Sequence, residues 1–210
     1  MKDFPIFTTE FGVASLTLRQ IPYRKEAYIH LQDFAASDRE NLVKECTSFC
    51  RMAGAEKIYV TPPSGEADVR ILKMRGVPLL NEEDIENIFP VTGETVGTFR
   101  KIANERLRDV DLAAMLEAKD EEGILSSGGA YFIHRQGQLL GIGWLMEDQL
   151  KLIASVVPGA GYPVAQTLLS VTPGISISLE VASTNRRAIK LYEKLGFLPV
   201  EELEAWEEVK

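Results

Sequence analysis

The chain has 210 residues and a mass of 23.4 kDa, and it is 45% hydrophobic and 26% charged, which is typical of a globular protein. A chain of this length buries a core without disulfides or metals, so its two cysteines are not a scaffold. The 31 Asp and Glu residues outnumber the 23 Lys and Arg residues, and the formal net charge of -8 opposes binding to nucleic acid.

The first residues, Met1 to Pro5, lack the basic start and the apolar run of a secretory signal, which predicts a cytoplasmic protein. From Leu152 to Leu179 the chain carries no charge, and this stretch exceeds the roughly 20 residues that cross a bilayer. Pro158, Pro163 and Pro173 interrupt it and would leave backbone groups unpaired in lipid. We therefore predict no membrane span.

A strand-helix-strand-helix pattern occurs twice in the sequence. In the first copy, Ser37 and Glu40 have the spacing of a capping box at a helix start, and Gly54 suits the end of that helix. The predicted elements are a strand over Ala27 to Phe34, a helix from Ser37 to Ala53, a strand over Lys57 to Thr61 and a helix over Glu66 to Arg75 that ends at Gly76.

The second copy contains an amphipathic helix near the C-terminus. Ala188, Leu191, Tyr192 and Leu195 lie at positions i, i+3, i+4 and i+7 and face one side, and Gly196 ends the helix. The predicted elements are a strand over Leu150 to Val157, a helix over Pro163 to Thr172, a strand over Ile175 to Val181 and a helix that Asn185 caps.

The segment between the copies completes the predicted fold. The apolar spacing there predicts a helix over 96–107, a second helix around Leu112 to Leu116, and a hairpin of Ala130 to Arg135 with Gln138 to Met146. Together the elements predict a mixed α+β (α/β) fold with a central sheet flanked by helices. We expect one domain over residues 81–210 and an incomplete, structural half domain over residues 1–80, with the boundary near Pro78 to Asn81.

The densest motif is the segment from Leu179 to Phe197, LEVASTNRRAIKLYEKLGF. It resembles the C-terminal motif of the Gcn5-related N-acetyltransferase (GNAT) superfamily, especially that of the ribosomal-protein alanine N-acetyltransferases. The hairpin IHRQGQLLGIGWL and the two helices before it also resemble that family's order. The resemblance covers about residues 90–210 and implies a GNAT-like sheet, with an incomplete GNAT-like half domain before it.

This resemblance implies transfer of an acetyl group from acetyl-CoA to a primary amine by direct attack on the thioester. Such a transfer uses a base for the amine, a backbone N–H for the oxyanion and an acid for the departing thiolate. By the motif, Tyr192 matches the acid, Glu180 matches the base, and Asn185 and Ala188 match positions that line the cofactor. From the residues alone, Tyr192 also suits the core, Glu180 an exposed strand end and Asn185 a simple helix cap.

In this superfamily, a loop of the form R/Q-x-x-G-x-G/A binds the pyrophosphate through backbone N–H groups at a helix N-terminus. The corresponding segment reads VVPGAGYPVAQTLL, and Ala160 and Pro163 stand where Arg or Gln and Gly are expected. One side-chain donor and one N–H are therefore missing, and acetyl-CoA binding is expected to be weakened, rearranged or lost. The expected cofactor-binding residues in the loop are Val156, Val157, Gly159, Ala160, Gly161, Tyr162, Val164 and Ala165.

The first copy and the cysteines predict no further site. Asp38 and Glu40 lie at the start of the first copy's helix, where carboxylates would repel a pyrophosphate, so that copy is expected to be structural. Cys46 and Cys50 are four residues apart on a helix and predict a core pair, so no metal is expected.

Two functions stay open at this point. One is an N-acetyltransferase with acetyl-CoA and an amine acceptor as its partners, and the other is a catalytically inactive GNAT-fold binding or sensor protein with a degenerate loop. The sequence leaves the acceptor open among a protein N-terminus, a polyamine, an amino acid and an aminoglycoside. It also leaves open whether the chain is a monomer or a homodimer.

Overall fold

The computed structural model describes residues 3–210. Two short 3₁₀ helices, Glu82–Asp84 and Ala118–Asp120, accompany the strands and α-helices. In chain order the elements are β1 (Phe4–Thr9), β2 (Gly12–Thr17), α1 (Ile21–Arg24), β3 (Glu26–Asp33), α2 (Arg39–Met52), β4 (Lys57–Thr61), β5 (Val69–Gly76), β6 (Asn87–Pro90), α3 (Val96–Leu107), α4 (Glu121–Ser127), β7 (Ala130–Arg135), β8 (Gln138–Met146), β9 (Gln149–Ser155), α5 (Gly161–Leu169), β10 (Ile177–Ala182), α6 (Arg186–Lys194) and β11 (Leu198–Glu208).

The chain divides into two units that are not consecutive segments. The first unit comprises the residues up to Arg70 together with Glu202–Lys210, and the second comprises Ile71–Glu201. Strands β5 and β11 each contribute residues to both units. The functional division into residues 1–80 and 81–210 stays a prediction.

The sheet of the first unit has the strand order β1-β2-β3-β4-β11. Strands β3 and β4 are parallel and are connected by α2, and the neighbouring pairs are antiparallel. Residues of β3 alternate between the two faces, and Ala27 and Ile29 pack with Cys46 and Cys50 of α2 in one core. On the opposite face the Tyr28 hydroxyl donates to the Glu26 carboxylate at 2.7 Å.

The sheet of the second unit has the strand order β5-β10-β9-β8-β7-β6. Strands β9 and β10 are parallel, and the other neighbouring pairs are antiparallel. Helices cover both faces: Phe99 of α3 and Ile124 of α4 belong to one core cluster, whereas Leu168 of α5 and Tyr192 of α6 belong to another. The mixed α+β fold expected from the sequence, a central sheet flanked by helices with an incomplete N-terminal half, is confirmed.

Two glycines of β8 allow α5 to lie close to the sheet. A Cβ at Gly141 would lie 2.8 Å from the side chain of Val164, and a Cβ at Gly143 would clash with the side chain of Leu168. Because glycine has no side chain, both buried residues of α5 reach the strand backbone. The helix that follows β9 is therefore fixed at its first two turns.

Three local predictions are wrong. The segment expected as a helix over 66–75 contains strand β5, whose residues from Ile71 to Gly76 pair with β10 in six positions. The expected capping box is absent, since α2 begins at Arg39 and Asp38 makes no side-chain cap bond. The expected helix around residues 112–116 is an irregular segment of the described chain, because the Asn104 side chain bonds the backbone N–H and C=O of Leu116.

Candidate active site

Strands β9 and β10 separate along their length. They are parallel but pair at Gln149 with Ser178 and at Leu150 with Leu179, and no further pair joins these two described strands. Beyond these positions, β9 continues to pair with β8, and β10 continues to pair with β5. A gap therefore opens between two neighbouring parallel strands toward their carboxyl ends.

A β-bulge in β9 lies at the position where the separation begins. Strand β8 pairs Trp144 with Leu152 and Leu145 with Leu150, so Lys151 is left over between these two pairs. The bulge moves the alternation of side chains by one residue, and Leu150 and Leu152 consequently enter different core clusters. Because a bulge bends and twists its strand, it accounts for the departure of β9 from β10.

The backbone of β9 presents hydrogen-bonding groups to this gap. The Val156 N–H donates to the Leu140 carbonyl of β8 at 2.7 Å. Backbone groups in an antiparallel pair point alternately to one side and the other, so the N–H and C=O groups of Ile153 and Ser155 point away from β8. These groups face the gap from which β10 has diverged. An extended ligand in the gap could form hydrogen bonds with them as a neighbouring strand does.

The first turn of α5 begins directly beyond the carboxyl end of β9. No described residue accepts from the N–H groups of Gly161 and Tyr162, the first two helical residues, and Pro163 at the third has none. Gly159, with a φ of +82°, forms the turn before the helix. The start of α5 therefore offers two N–H donors and the positive end of the helix dipole to an anion, which fits a pyrophosphate with one donor fewer than usual.

The structure brings only part of the expected loop residues to the surface of the site. Val156, Val157, Gly161 and Tyr162 are half-buried, and Gly159 is exposed. Ala160, Val164 and Ala165 are buried on the core side of α5, so their side chains do not face the gap.

Two cations near the start of α5 were not apparent in the sequence. An Arg106 guanidinium nitrogen, from α3, lies 3.4 Å from the Val156 carbonyl oxygen. The Lys194 ammonium, from α6, lies 3.6 Å from the centroid of the Tyr162 ring. Both residues belong to other helices, so no motif within the loop could reveal them. They add positive charge beside the two N–H donors.

Glu180 is exposed on β10, at the first position after the last pair with β9. Its cross-strand partner on β5 is Lys73, but the Lys73 ammonium is turned toward Glu201 at 3.9 Å. The Glu180 carboxylate makes no ion pair or side-chain hydrogen bond with any residue of the described chain. Glu180 is therefore exposed, and its position lies at the closed end of the gap.

Tyr192 lies on the core side of α6, where 8% of its surface is exposed. Its ring packs edge-on against Phe197 at a centroid distance of 6.2 Å. Burial raises the pKa of Tyr192 to about 12, so its hydroxyl keeps its proton at neutral pH. The group is therefore in the protonation state that a general acid needs.

Asn185 caps α6, as its position in the sequence predicts. Its side-chain oxygen accepts from the N–H of Ala188 at 3.2 Å, which satisfies a donor of the first helical turn. This internal bond occupies the Ala188 N–H. A role of either residue in cofactor binding stays a prediction.

Residues 3–210 include no helix that combines the length and the apolar character that a membrane crossing requires. Over the same stretch, no group of three or more His, Cys, Asp or Glu side chains is placed to hold a metal ion.

No protein-family model and no curated protein matches this chain. Its fold is nevertheless similar to that of several solved structures. A GCN5-related N-acetyltransferase from Sphaerobacter thermophilus has a TM-score of 0.56 at 12% identity, over 94% of this chain and 76% of that one. A GNAT-family acetyltransferase from Colwellia psychrerythraea has a TM-score of 0.53 at 14% identity, over 98% and 84%.

A conserved protein of unknown function from Staphylococcus epidermidis matches over 95% of this chain and 91% of that one, with a TM-score of 0.56 at 9% identity. The likeness therefore extends to nearly the whole chain and is not restricted to the C-terminal motif. The particular resemblance to ribosomal-protein alanine N-acetyltransferases stays a prediction. The splayed parallel strands, the helix that begins beyond them and these neighbours together show that the chain has the fold of the Gcn5-related N-acetyltransferase superfamily.

Proposed function

We propose that this protein is an acyl-CoA-dependent N-acyltransferase that transfers an acetyl group to a primary amine. The observation that carries this proposal is the gap between β9 and β10, with a bulge at its closed end and a helix N-terminus at its open end. Acetyl-CoA is an extended molecule with two amide groups in its pantetheine arm and a pyrophosphate beyond them. The pantetheine amides would lie along the gap, and the pyrophosphate would lie at its open end, against the N-terminus of α5.

The residues around the gap have distinct roles in this proposal. The backbone groups of Ile153 and Ser155 bind the pantetheine amides in the manner of a neighbouring strand. The N–H groups of Gly161 and Tyr162 bind the pyrophosphate, and Arg106 and Lys194 balance its charge. The two cations thereby compensate in part for Pro163.

The chemical step forms one C–N bond and breaks one C–S bond. The amine nitrogen attacks the thioester carbonyl carbon and transfers a proton to Glu180, which is free of ion pairs with described residues. The departing thiolate takes a proton from Tyr192, whose hydroxyl is protonated over the working pH range. Backbone N–H groups beside the bulge stabilise the oxyanion in between.

One observation favours a second function, that of a non-catalytic binding or sensor protein. Pro163 occupies the third position of α5 and removes an N–H that would otherwise bind phosphate. If this loss abolishes cofactor binding, the fold serves another ligand or partner. The two functions are distinguished by two measurements, the affinity for acetyl-CoA and the transfer of an acetyl group to an amine.

The first test is calorimetric titration of the purified, CoA-free protein with acetyl-CoA. Micromolar affinity supports the acyltransferase, and no binding at millimolar acetyl-CoA contradicts it. Desulfo-CoA serves as a second ligand, because it retains the pyrophosphate and the pantetheine arm but cannot donate an acetyl group.

The second test measures acetyl transfer to a panel of amines. We expect Glu180→Gln and Tyr192→Phe each to lower the rate by about 10²-fold or more where proton transfer limits it. Glu193→Gln, on the exposed side of α6, and Tyr23→Phe, in the first unit, are the matched controls. If the Glu180 and Tyr192 variants acetylate amines at the wild-type rate, the assignment of Glu180 as the base and Tyr192 as the acid is wrong.

A further inference from the structure

A polar cavity opens on the sheet at the closed end of the gap. It is lined by residues of three adjacent strands, β5, β10 and β9. Two leucines of the last strand pair belong to its lining, and the polar residues around them are Lys73, Gln149, Lys151, Ser178 and Glu180. In the proposed function, this is the place where the amine meets the thioester.

The charges around this cavity are mixed and incompletely paired. Lys151, the bulge residue, and Glu180 are both exposed, and neither makes an ion pair or a side-chain hydrogen bond with a described residue. Lys73 contacts Glu201 at 3.9 Å. Beyond the cavity, Arg75 and Asp148 form their own pair at 3.9 Å. Among the residues that the structure describes, the cavity therefore presents a cation and a carboxylate that a ligand could pair with.

These two charges lie on strands that are still close together. Lys151 and Glu180 each follow the last pair that joins β9 to β10, Leu150 with Leu179. Both residues line the same cavity, so one small ligand there lies within reach of both side chains. A ligand with an ammonium and a carboxylate group on the same carbon atom could contact both.

We infer that the acceptor is an amine of the α-amino acid class, whose carboxylate binds Lys151 while its amino group lies against Glu180. This inference rests on the proposed function and specifies its substrate. Lys73, beside Glu180 on β5, adds a second positive charge at the same cavity. Gln149 and Ser178 supply neutral hydrogen-bonding groups on its rim.

The same charges disfavour the polycationic acceptors. A polyamine or an aminoglycoside would bring ammonium groups that could pair with Glu180, but no anionic group for Lys151, whose ammonium has no ion pair with a described residue. Like charges at this distance repel, whereas a zwitterion satisfies Lys151 and Glu180 at once. The positive charge at Lys151 therefore selects for an acceptor with an anionic group beside the amine.

The test compares each of the common amino acids with its own α-amide, a pair that differs only in the carboxylate. Binding to the full-length protein is followed by NMR titration in the absence of acetyl-CoA, and acetylation is followed separately as kcat/KM. For the best amino acid we expect at least 10-fold tighter binding and higher kcat/KM than for its amide. In Lys151→Gln the ratio of acid to amide should fall toward one. Lys119→Gln should leave the ratio unchanged, because Lys119 lies on a 3₁₀ helix and does not line the cavity.

Equal binding of acids and amides, or a ratio that Lys151→Gln leaves unchanged, would overturn the inference. Acetylation of other amines with no preference for a carboxylate would overturn it while leaving the proposed function intact. The absence of acetyl-CoA binding would remove the proposed function, and the NMR titration would still decide whether the cavity recognises amino acids. Lys73→Gln provides a second variant, for which a smaller fall in the ratio is expected because Glu201 already contacts Lys73.

Discussion

Tyr192 has a packing role that is compatible with the chemical role proposed for it. Its ring contacts Phe197 in the core of the second unit, and its burial raises the pKa of the hydroxyl to about 12. The interpretation of this residue as core and its interpretation as a general acid are therefore compatible. A tyrosine held in the core by its ring has a fixed position, which a proton donor requires.

The raised pKa of Tyr192 predicts a loss of stability in alkaline solution. An unfolded tyrosine has a pKa of about 10. Between that pH and about 12 the unfolded chain loses the proton while the folded chain keeps it, so this residue's contribution to stability is complete below pH 10 and is lost as the pH rises. Urea unfolding at about pH 8 and about pH 11 should show a decrease that is smaller by about 1 kcal/mol in Tyr192→Phe than in the wild type.

Tyr23→Phe is the matched control for this measurement, because Tyr23 is 49% exposed. Its pH dependence should equal that of the wild type. The pKa of Tyr28 is also raised, by burial and by the hydrogen bond to Glu26, but Tyr28 is present in all three proteins and its effect cancels. Equal pH dependence in Tyr192→Phe and Tyr23→Phe would show that the Tyr192 hydroxyl is not buried in solution.

Individual site residues could be predicted from the sequence where a local motif contains them. Asn185 is recognised as a helix cap, which the structure confirms, and Glu180 as an unusual charge in an apolar stretch, which is exposed in the structure. The roles of both residues in the site stay predictions. Arg106, Lys151 and Lys194 could not be predicted, because their positions depend on how separate elements pack. Lys151 can be placed at the cavity only when the bulge in β9 and the gap beside it are known.

At the scale of elements, the proposed function assigns pyrophosphate binding to the start of α5. Restoring the missing N–H with Pro163→Ala should tighten acetyl-CoA binding, because a hydrogen bond to a charged group contributes about 1.5–3 kcal/mol, or roughly 10-fold or more in Kd. Calorimetric titration measures this difference directly. Pro173→Ala, outside α5, removes a proline without adding a donor at the loop and should have no effect.

An unchanged Kd in Pro163→Ala would mean that the first turn of α5 does not contact the ligand. A side-chain donor cannot be added with the same ease, since Ala160 is 8% exposed and an arginine there would displace the core. The alanine variant is therefore the cleaner test of the loop. Alanine also suits a helix better than proline does, so the variant is expected to fold.

The end of β5 tolerates no side chain at Gly76. A Cβ there would lie 2.9 Å from the Phe197 Cα and would clash with the Gly196 carbonyl oxygen, both of which are backbone atoms. Because backbone cannot move as a rotamer does, Gly76→Ala should lower the free energy of unfolding by about 1–3 kcal/mol or more. Urea unfolding gives the value.

Gly123→Ala is the control, because a Cβ at this position in α4 would meet no atom within 4 Å. Alanine within a helix is favoured over glycine, so this variant should gain up to about 1 kcal/mol. If both variants lost stability equally, the close approach at Gly76 would not be the cause.

The elements that were predicted correctly are those in which the apolar spacing and the flanking cap residues indicate the same structure. In α6 the apolar spacing, the Asn185 cap and Gly196 all indicate the same helix, and the structure confirms it. In β5 the local signals did not reveal the strand, since its conformation is imposed by the six pairs with β10. The separation of β9 from β10 has no local signal in the sequence, because no residue pattern specifies where two strands stop pairing.

At the scale of the whole molecule, the net charge should affect the encounter with acetyl-CoA, the proposed ligand. The formal net charge of -8 creates a field that repels an anionic ligand at long range, although Arg106 and Lys194 attract it locally. Raising the ionic strength to about 0.15 M shortens the Debye length to about 8 Å and screens the long-range part first. Stopped-flow measurement should therefore show faster association with added salt.

A matched measurement uses Arg106→Gln, which removes one local cation. In this variant the rate at low salt should be lower than in the wild type, and the increase with salt should be larger. If salt instead slowed association in the wild type, the local cations would outweigh the net charge, and the field of the whole molecule would be unimportant for capture of the ligand.

Strand β11 supplies the last strand of the first unit. Glu207 pairs with Val60 of β4 in the sheet, and its carboxylate accepts from the Ser64 hydroxyl at 2.7 Å. In the sequence, β11 comes after all the other strands, so the ribosome synthesises β1 to β4 long before it synthesises β11. The sheet of the first unit therefore lacks its last strand until nearly all of the described chain has been made. Until then the edge of β4 stays open, and a nascent chain at this stage is the form most exposed to aggregation and most dependent on chaperones.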